Sequence, residues 1–101
     1  MGRASREKPV HLAEKLLQIR IAMGLSQNGM LEHLGISERS YRNYISDFEN
    51  GVREPSLPVL LRYARVAGVC LDALVDDEIQ LPRILPANPN YKWASHRARR
   101  H

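Results

Sequence analysis

Gly24, Gly35, Gly51 and Gly68 each close a stretch whose apolar residues recur at the helical period, and Ser26, Ser37 and Ser56 each open the next stretch. Serine is a preferred N-cap because its hydroxyl satisfies an orphan amide of the first turn, while glycine ends helices because it enters left-handed backbone without strain. The chain is therefore restricted to a series of short helices. The tightest junction lies in the middle, where only Gly35 and Ile36 separate the end of one segment from the Ser37 cap of the next. Two helices are joined there by a tight turn.

The pattern predicts a first helix over 11–23, with Leu12, Leu16, Ile19 and Met23 on one face and Glu14, Lys15, Gln18 and Arg20 elsewhere. A second, over 27–34, turns Met30, Leu31 and Leu34 inward. The third is expected over 38–50, since Tyr41, Tyr44, Ile45 and Phe48 stand at i, i+3, i+4 and i+7. Its other face carries Glu38, Arg39, Arg42, Asn43 and Ser46, which suit either solvent or a polar partner. After the loop Val52-Arg53-Glu54-Pro55, a fourth helix begins behind Ser56, with Pro58 tolerated in its first turn and Leu57, Leu60, Leu61, Ala64 and Ala67 inward. A fifth, over 71–77, offers Leu71, Leu74 and Val75 to the core. No segment alternates as a strand would.

Length and charge narrow the function. A chain of 101 residues buries one core and does not frame a large catalytic cleft, so an enzyme is not expected. No apolar run of membrane-spanning length and no leader-like start is present, and a cytoplasmic protein is the default expectation. Cys70, the single cysteine, rules out an internal disulfide and a cysteine-based zinc site. His11, His33, His96 and His101 lack ligand spacing, so no metal and no cofactor are expected. The acidic run Asp72, Asp76, Asp77 and Glu78 reads as solvated helix-end charge.

The net charge of +4 sits at the ends of the chain. Three units follow: a basic arm, 1–8; a domain, 9–80; and a basic tail, 81–101, with Arg83, Lys92, Arg97, Arg99 and Arg100 and no acid. The central unit has seven basic residues against ten acids, a formal charge of −3, so a polyanion would have to be met by a local patch or by the tail. Tyr91 and Trp93 in the tail are either loosely ordered or dock on a neighbouring subunit or DNA. Toward a polyanion, the tail is expected to add affinity without specificity.

From Leu12 to Val75 the order of features resembles the lambda-repressor-like, Xre-type family of helix-turn-helix domains. The resemblance is carried by "LSQ" (Leu25 to Gln27), "LGIS" (Leu34 to Ser37), "ENGVREPS" (Glu49 to Ser56) and "AGVCLDALV" (Ala67 to Val75). It implies an all-α, five-helix domain whose third helix enters a major groove of double-stranded DNA. By position, Glu38, Arg39, Ser40, Arg42 and Asn43 are the implied base readers, and Gln27, Ser37, Asn50 and Arg53 the implied phosphate contacts. The sequence departs from the family in three places. Ile45 to Phe48 resembles a four-residue insertion, expected to add a turn to the third helix. Leu31 and Tyr41 replace smaller or aliphatic residues. Cys70 stands at a capping position and is expected to be buried or half-buried.

The expected function is a sequence-specific transcriptional regulator, a repressor on grounds of size, acting as a homodimer on an inverted-repeat operator. Leu81, Ile84 and Leu85, without an obvious partner in the chain, are the expected dimer contact. The rival reading is a protein-interaction module of the same fold, an antitoxin-like partner or an adaptor.

Overall fold

The computed structural model describes residues 8–36 and 43–86. These form five helices and no strand: α1 (Leu12–Ala22), α2 (Gln27–His33), α3 (Tyr44–Glu49), α4 (Leu57–Ala67) and α5 (Leu71–Val75). Two of the serine caps are made as expected, Ser26 Oγ accepting from the Gly29 amide at 3.0 Å and Ser56 Oγ from the Val59 amide at 3.4 Å. Ser37 lies outside the described residues.

The helix ends share one device. At Gly24, Gly35, Gly51 and Gly68 the backbone turns left-handed, with φ between 70 and 75°. The next residue then donates its amide five positions back: Leu25 to Arg20, Ile36 to Leu31, Val52 to Asp47 and Val69 to Ala64. This is the Schellman closure, which satisfies orphan carbonyls and turns an aliphatic residue back toward the helix just ended. Leu25, Ile36 and Val69 accordingly pack against the core. Val52 is the exception, and is exposed.

Leu16, Ile19, Met30, Leu34, Ile45, Tyr63, Val66 and Leu74 are fully buried, so each of the five helices contributes to one core. Complete burial of aliphatic side chains of this size is worth about 1.5 to 3 kcal/mol each, enough to hold helices too short to persist alone. Ile45 and Phe48, the apolar part of the apparent insertion, are both buried in α3. Asn43, just before α3, has helical dihedrals and its carbonyl accepts the Asp47 amide at 3.1 Å. The expected start of this helix, 38–42, lies outside the described residues.

Several sequence expectations need correction. Lys15 is not on the solvent face: it is buried, and its ammonium donates to the carbonyls of Ala73 and Asp76, both at 2.9 Å. It occupies the i+3 position between Leu12 and Ile19, and a cation there both satisfies the last carbonyls of α5 and opposes the helix dipole. Leu57 is 66% exposed and Val75 37%, whereas Tyr63, Val66 and Ala73 take core positions instead. Cys70 stands at the N-cap position of α5 but is exposed, and its side chain makes no capping hydrogen bond. Leu81 is buried and Leu85 packs against the core, so the folded unit extends past residue 80 and only Ile84, of the three aliphatic residues expected to be unpartnered, is fully exposed. Asp77 is more than solvated charge: its carboxylate accepts the amides of Val10 and His11, both at 3.0 Å, where α1 lacks a side-chain cap of its own.

Candidate nucleic-acid interface

The far end of α3 is tied to α1 and to the start of α2 by one carboxylate. Glu49, at the end of α3 with a side chain only 5% exposed, accepts from Arg20 Nε at 2.7 Å, from Arg20 Nη2 at 3.1 Å and from Gln27 Nε2 at 3.3 Å. Arg20 spends its remaining nitrogen on the Leu25 carbonyl at 2.9 Å. A planar guanidinium is suited to this, because its fork grips both carboxylate oxygens while a third N–H reaches elsewhere. The Glu49 hydrogen bond raises the Arg20 pKa further above its already high ordinary value, against the opposing effect of burial. The end of α1, the start of α2 and the end of α3 are thus tied at one point.

Gln27 opens α2 as expected of a phosphate contact, but its amide nitrogen already serves Glu49. An amide nitrogen has two hydrogens, so the second can still be donated outward. Arg53 is exposed in the loop after α3, with its guanidinium carbon 4.1 Å from the centroid of the Tyr44 ring and its Nε 3.5 Å from Asp47 Oδ2. The loop carrying it is anchored, since Val52 and Arg53 both donate their amides to the Asp47 carbonyl. Tyr44 is held in turn by an edge-to-face contact with Phe48, centroids 6.0 Å apart. Stacking on an aromatic face restricts the guanidinium while leaving other donors for an anion.

Along the outer side of α3, Asn43 and Asn50 are exposed and Ser46 lies between them, half-buried. Asn50 Nδ2 donates to Ser46 Oγ at 3.3 Å. Of the implied base readers, Asn43 is therefore on the outward face, while Glu38, Arg39, Ser40 and Arg42, like the implied phosphate contact Ser37, lie outside the described residues. Arg20 had not been expected at this site. Its sequence signal is weak, a single cation on α1 that only the fold brings to Glu49, 29 residues away.

A left-handed glycine turn between two short helices, with the second helix clamped at its far end and its polar side outward, defines a helix-turn-helix domain. A model of the helix-turn-helix family matches residues 16–74, more than half of the chain. The chain belongs to that family, in its Xre, lambda-repressor-like form, a family of DNA-binding regulatory domains and not of enzymes. No curated protein and no solved structure matches the chain. Among the described residues no helix is long and apolar enough to cross a membrane.

Proposed function

We propose that the chain is a transcriptional repressor that reads a specific double-stranded DNA site through its third helix. The observation that carries this reading is the Glu49 clamp, which fixes α3 against α1 and α2 with Asn43 outward and Arg53 stacked beside it. Glu38, Arg39, Ser40, Arg42 and Asn43 read base edges in this proposal. Arginine pairs with guanine, asparagine with adenine, and glutamate accepts from cytosine. Gln27, Ser37, Asn50 and Arg53 hold phosphates and set the register. Repression follows from occupancy of a promoter.

One short helix reaches only a few base pairs, so the repressor acts as a symmetric homodimer on an inverted repeat, its half-sites about 10 base pairs and about 34 Å apart. With Leu81 and Leu85 taken up by the core, Ile84 and Ile79 are the exposed aliphatic residues among those described beyond α5, and they contribute to the subunit contact. Selection of bound sites from random DNA, followed by footprinting and light scattering, tests the reading. An enriched inverted repeat protected by a dimer is the expected result. Failure to enrich any sequence would overturn sequence-specific recognition, and a single protected half-site bound by a monomer would overturn the dimer alone.

A further inference from the structure

An open groove of about 910 Å³ runs between the loop before α4 and the end of α5. Its lining includes Leu12, Pro55 and Leu60, which are buried, and Leu57 and Val75, which are 66% and 37% exposed. Around the apolar part stand Glu54, Asp72, Asp76, Asp77 and Glu78, against which Lys8 is the one cation of the lining among the described residues. Apolar ground inside a ring of carboxylates selects a ligand with the opposite pattern: cations flanking an aromatic or aliphatic anchor.

The chain itself contains a segment with that pattern. Residues 90–101 carry Lys92, Arg97, Arg99 and Arg100 with no acid, together with Tyr91 and Trp93. These residues lie outside the described part, which ends at Pro86, shortly after Leu85 packs on the core. Seven residues from Pro86 to Trp93 span at most about 25 Å, close to the width of a small domain. We propose that the groove between α4 and α5 is the docking site of the chain's own basic C-terminal segment, with Trp93 against Leu57 and Val75 and the arginines on the Asp72 and Glu78 side. Covalent attachment favours this occupant over a free basic peptide, because a tethered segment is present at an effective concentration in the millimolar range even where each ion pair is weak. Arginines held there are withdrawn from DNA phosphates, so the groove and DNA compete for the same segment.

Trp93 is the only tryptophan of the chain, which makes its fluorescence a direct report on docking. Acrylamide quenching should be compared in the full chain, in Asp72→Asn with Glu78→Gln, in Leu57→Lys, and in a variant with Arg97, Arg99 and Arg100 all changed to Gln. The parent is expected to show blue-shifted, protected emission. Loss of two surface ion pairs should lower the docked-to-free ratio by about fivefold, and salt near 1 M, where the Debye length is about 3 Å, should do the same to the parent. The arginine variant changes no residue of the folded core and so remains informative if a groove variant fails to fold. Quenching of Trp93 that is the same in the parent and in the arginine variant would overturn the proposal. Protection that disappears on dilution would also overturn it, in favour of a groove filled by a second copy. The measurement contains no DNA, so its outcome is separate from that of operator recognition.

Discussion

Arg20 of α1 and Glu49 of α3 form a two-pronged ion pair, Nε to Oε2 at 2.7 Å and Nη2 to Oε1 at 3.1 Å, and the same carboxylate accepts from Gln27 of α2. Glu49 sits at the last turn of α3, where the helix dipole disfavours a negative charge. The pair with Arg20 compensates, and the position makes sense as a device that fixes the crossing of three helices.

Replacing Glu49 by Ala leaves the partly buried Arg20 guanidinium without its counter-charge and its charge-assisted hydrogen bonds, a loss of about 1.5 to 3 kcal/mol. Urea unfolding should show that loss. Because the residue acts by holding α3, Arg20→Met together with Glu49→Leu is expected to recover much of the stability but not the affinity for DNA. Recovery of both would mean that the pair only stabilises.

Arg53 and Asn43 should separate by their effects on the preferred site. Asn43→Ala, and likewise Arg39→Ala, is expected to change base preference and to cost about 1 to 3 kcal/mol on the best sequence. Arg53→Ala should weaken all sequences alike and reduce the salt slope by about one. Binding of a panel of single-base variants at several salt concentrations distinguishes the two patterns. An unchanged base preference in both Arg39→Ala and Asn43→Ala would remove the third helix as the reader.

Tyr63 is fully buried, and its hydroxyl has no hydrogen-bond partner among the described residues. Burial, and after it the negative charge of Glu49, push the phenol well above its ordinary pKa. Tyr63→Phe removes the unsatisfied group while keeping the ring, and should raise stability by about 1 kcal/mol. A phenol whose folded pKa is raised contributes stability that is intact below its unfolded value, about 10, and is lost as the pH rises beyond it. The advantage of the Phe variant should therefore widen in alkali, which thermal unfolding at pH 7 and above pH 10 would reveal.

Asp77 presents the opposite sign. The amides of Val10 and His11 hold its carboxyl below the usual range. The contribution is present above the unfolded value, about 3.9, and is lost as the pH falls through the lower folded one. Asp77→Ala should be less stable than the parent at neutral pH and equal to it in strong acid, about pH 2 or below. A difference that persists there would show that the side chain acts through packing alone.

The element order was legible because its signals are local. A serine hydroxyl reaches an amide three residues on, as Ser26 does with Gly29, and a glycine that must turn left-handed is needed wherever a helix ends this abruptly. The stripes Leu12, Leu16, Ile19 and Met30, Leu31, Leu34 likewise follow from the helical period, and all six residues are buried. The outward placement of Asn43 and the exposed loop position of Arg53 follow from the same local geometry.

Tertiary structure alone decided where the charges went. Lys15 looks like any surface lysine until α5 brings two unpaired carbonyls to its ammonium, and Asp77 looks solvated until the start of α1 lies beside it. Arg20 meets Glu49 across 29 residues, and Leu81 is an unpartnered aliphatic side chain until the core covers it. Caps and periodicity are set by neighbours within one or two turns and can be read from the chain. The pairing of a buried cation depends on which distant backbone or carboxylate the packing delivers, and on whether the Coulomb and hydrogen-bond energy there exceeds the cost of desolvation. No local pattern contains that balance.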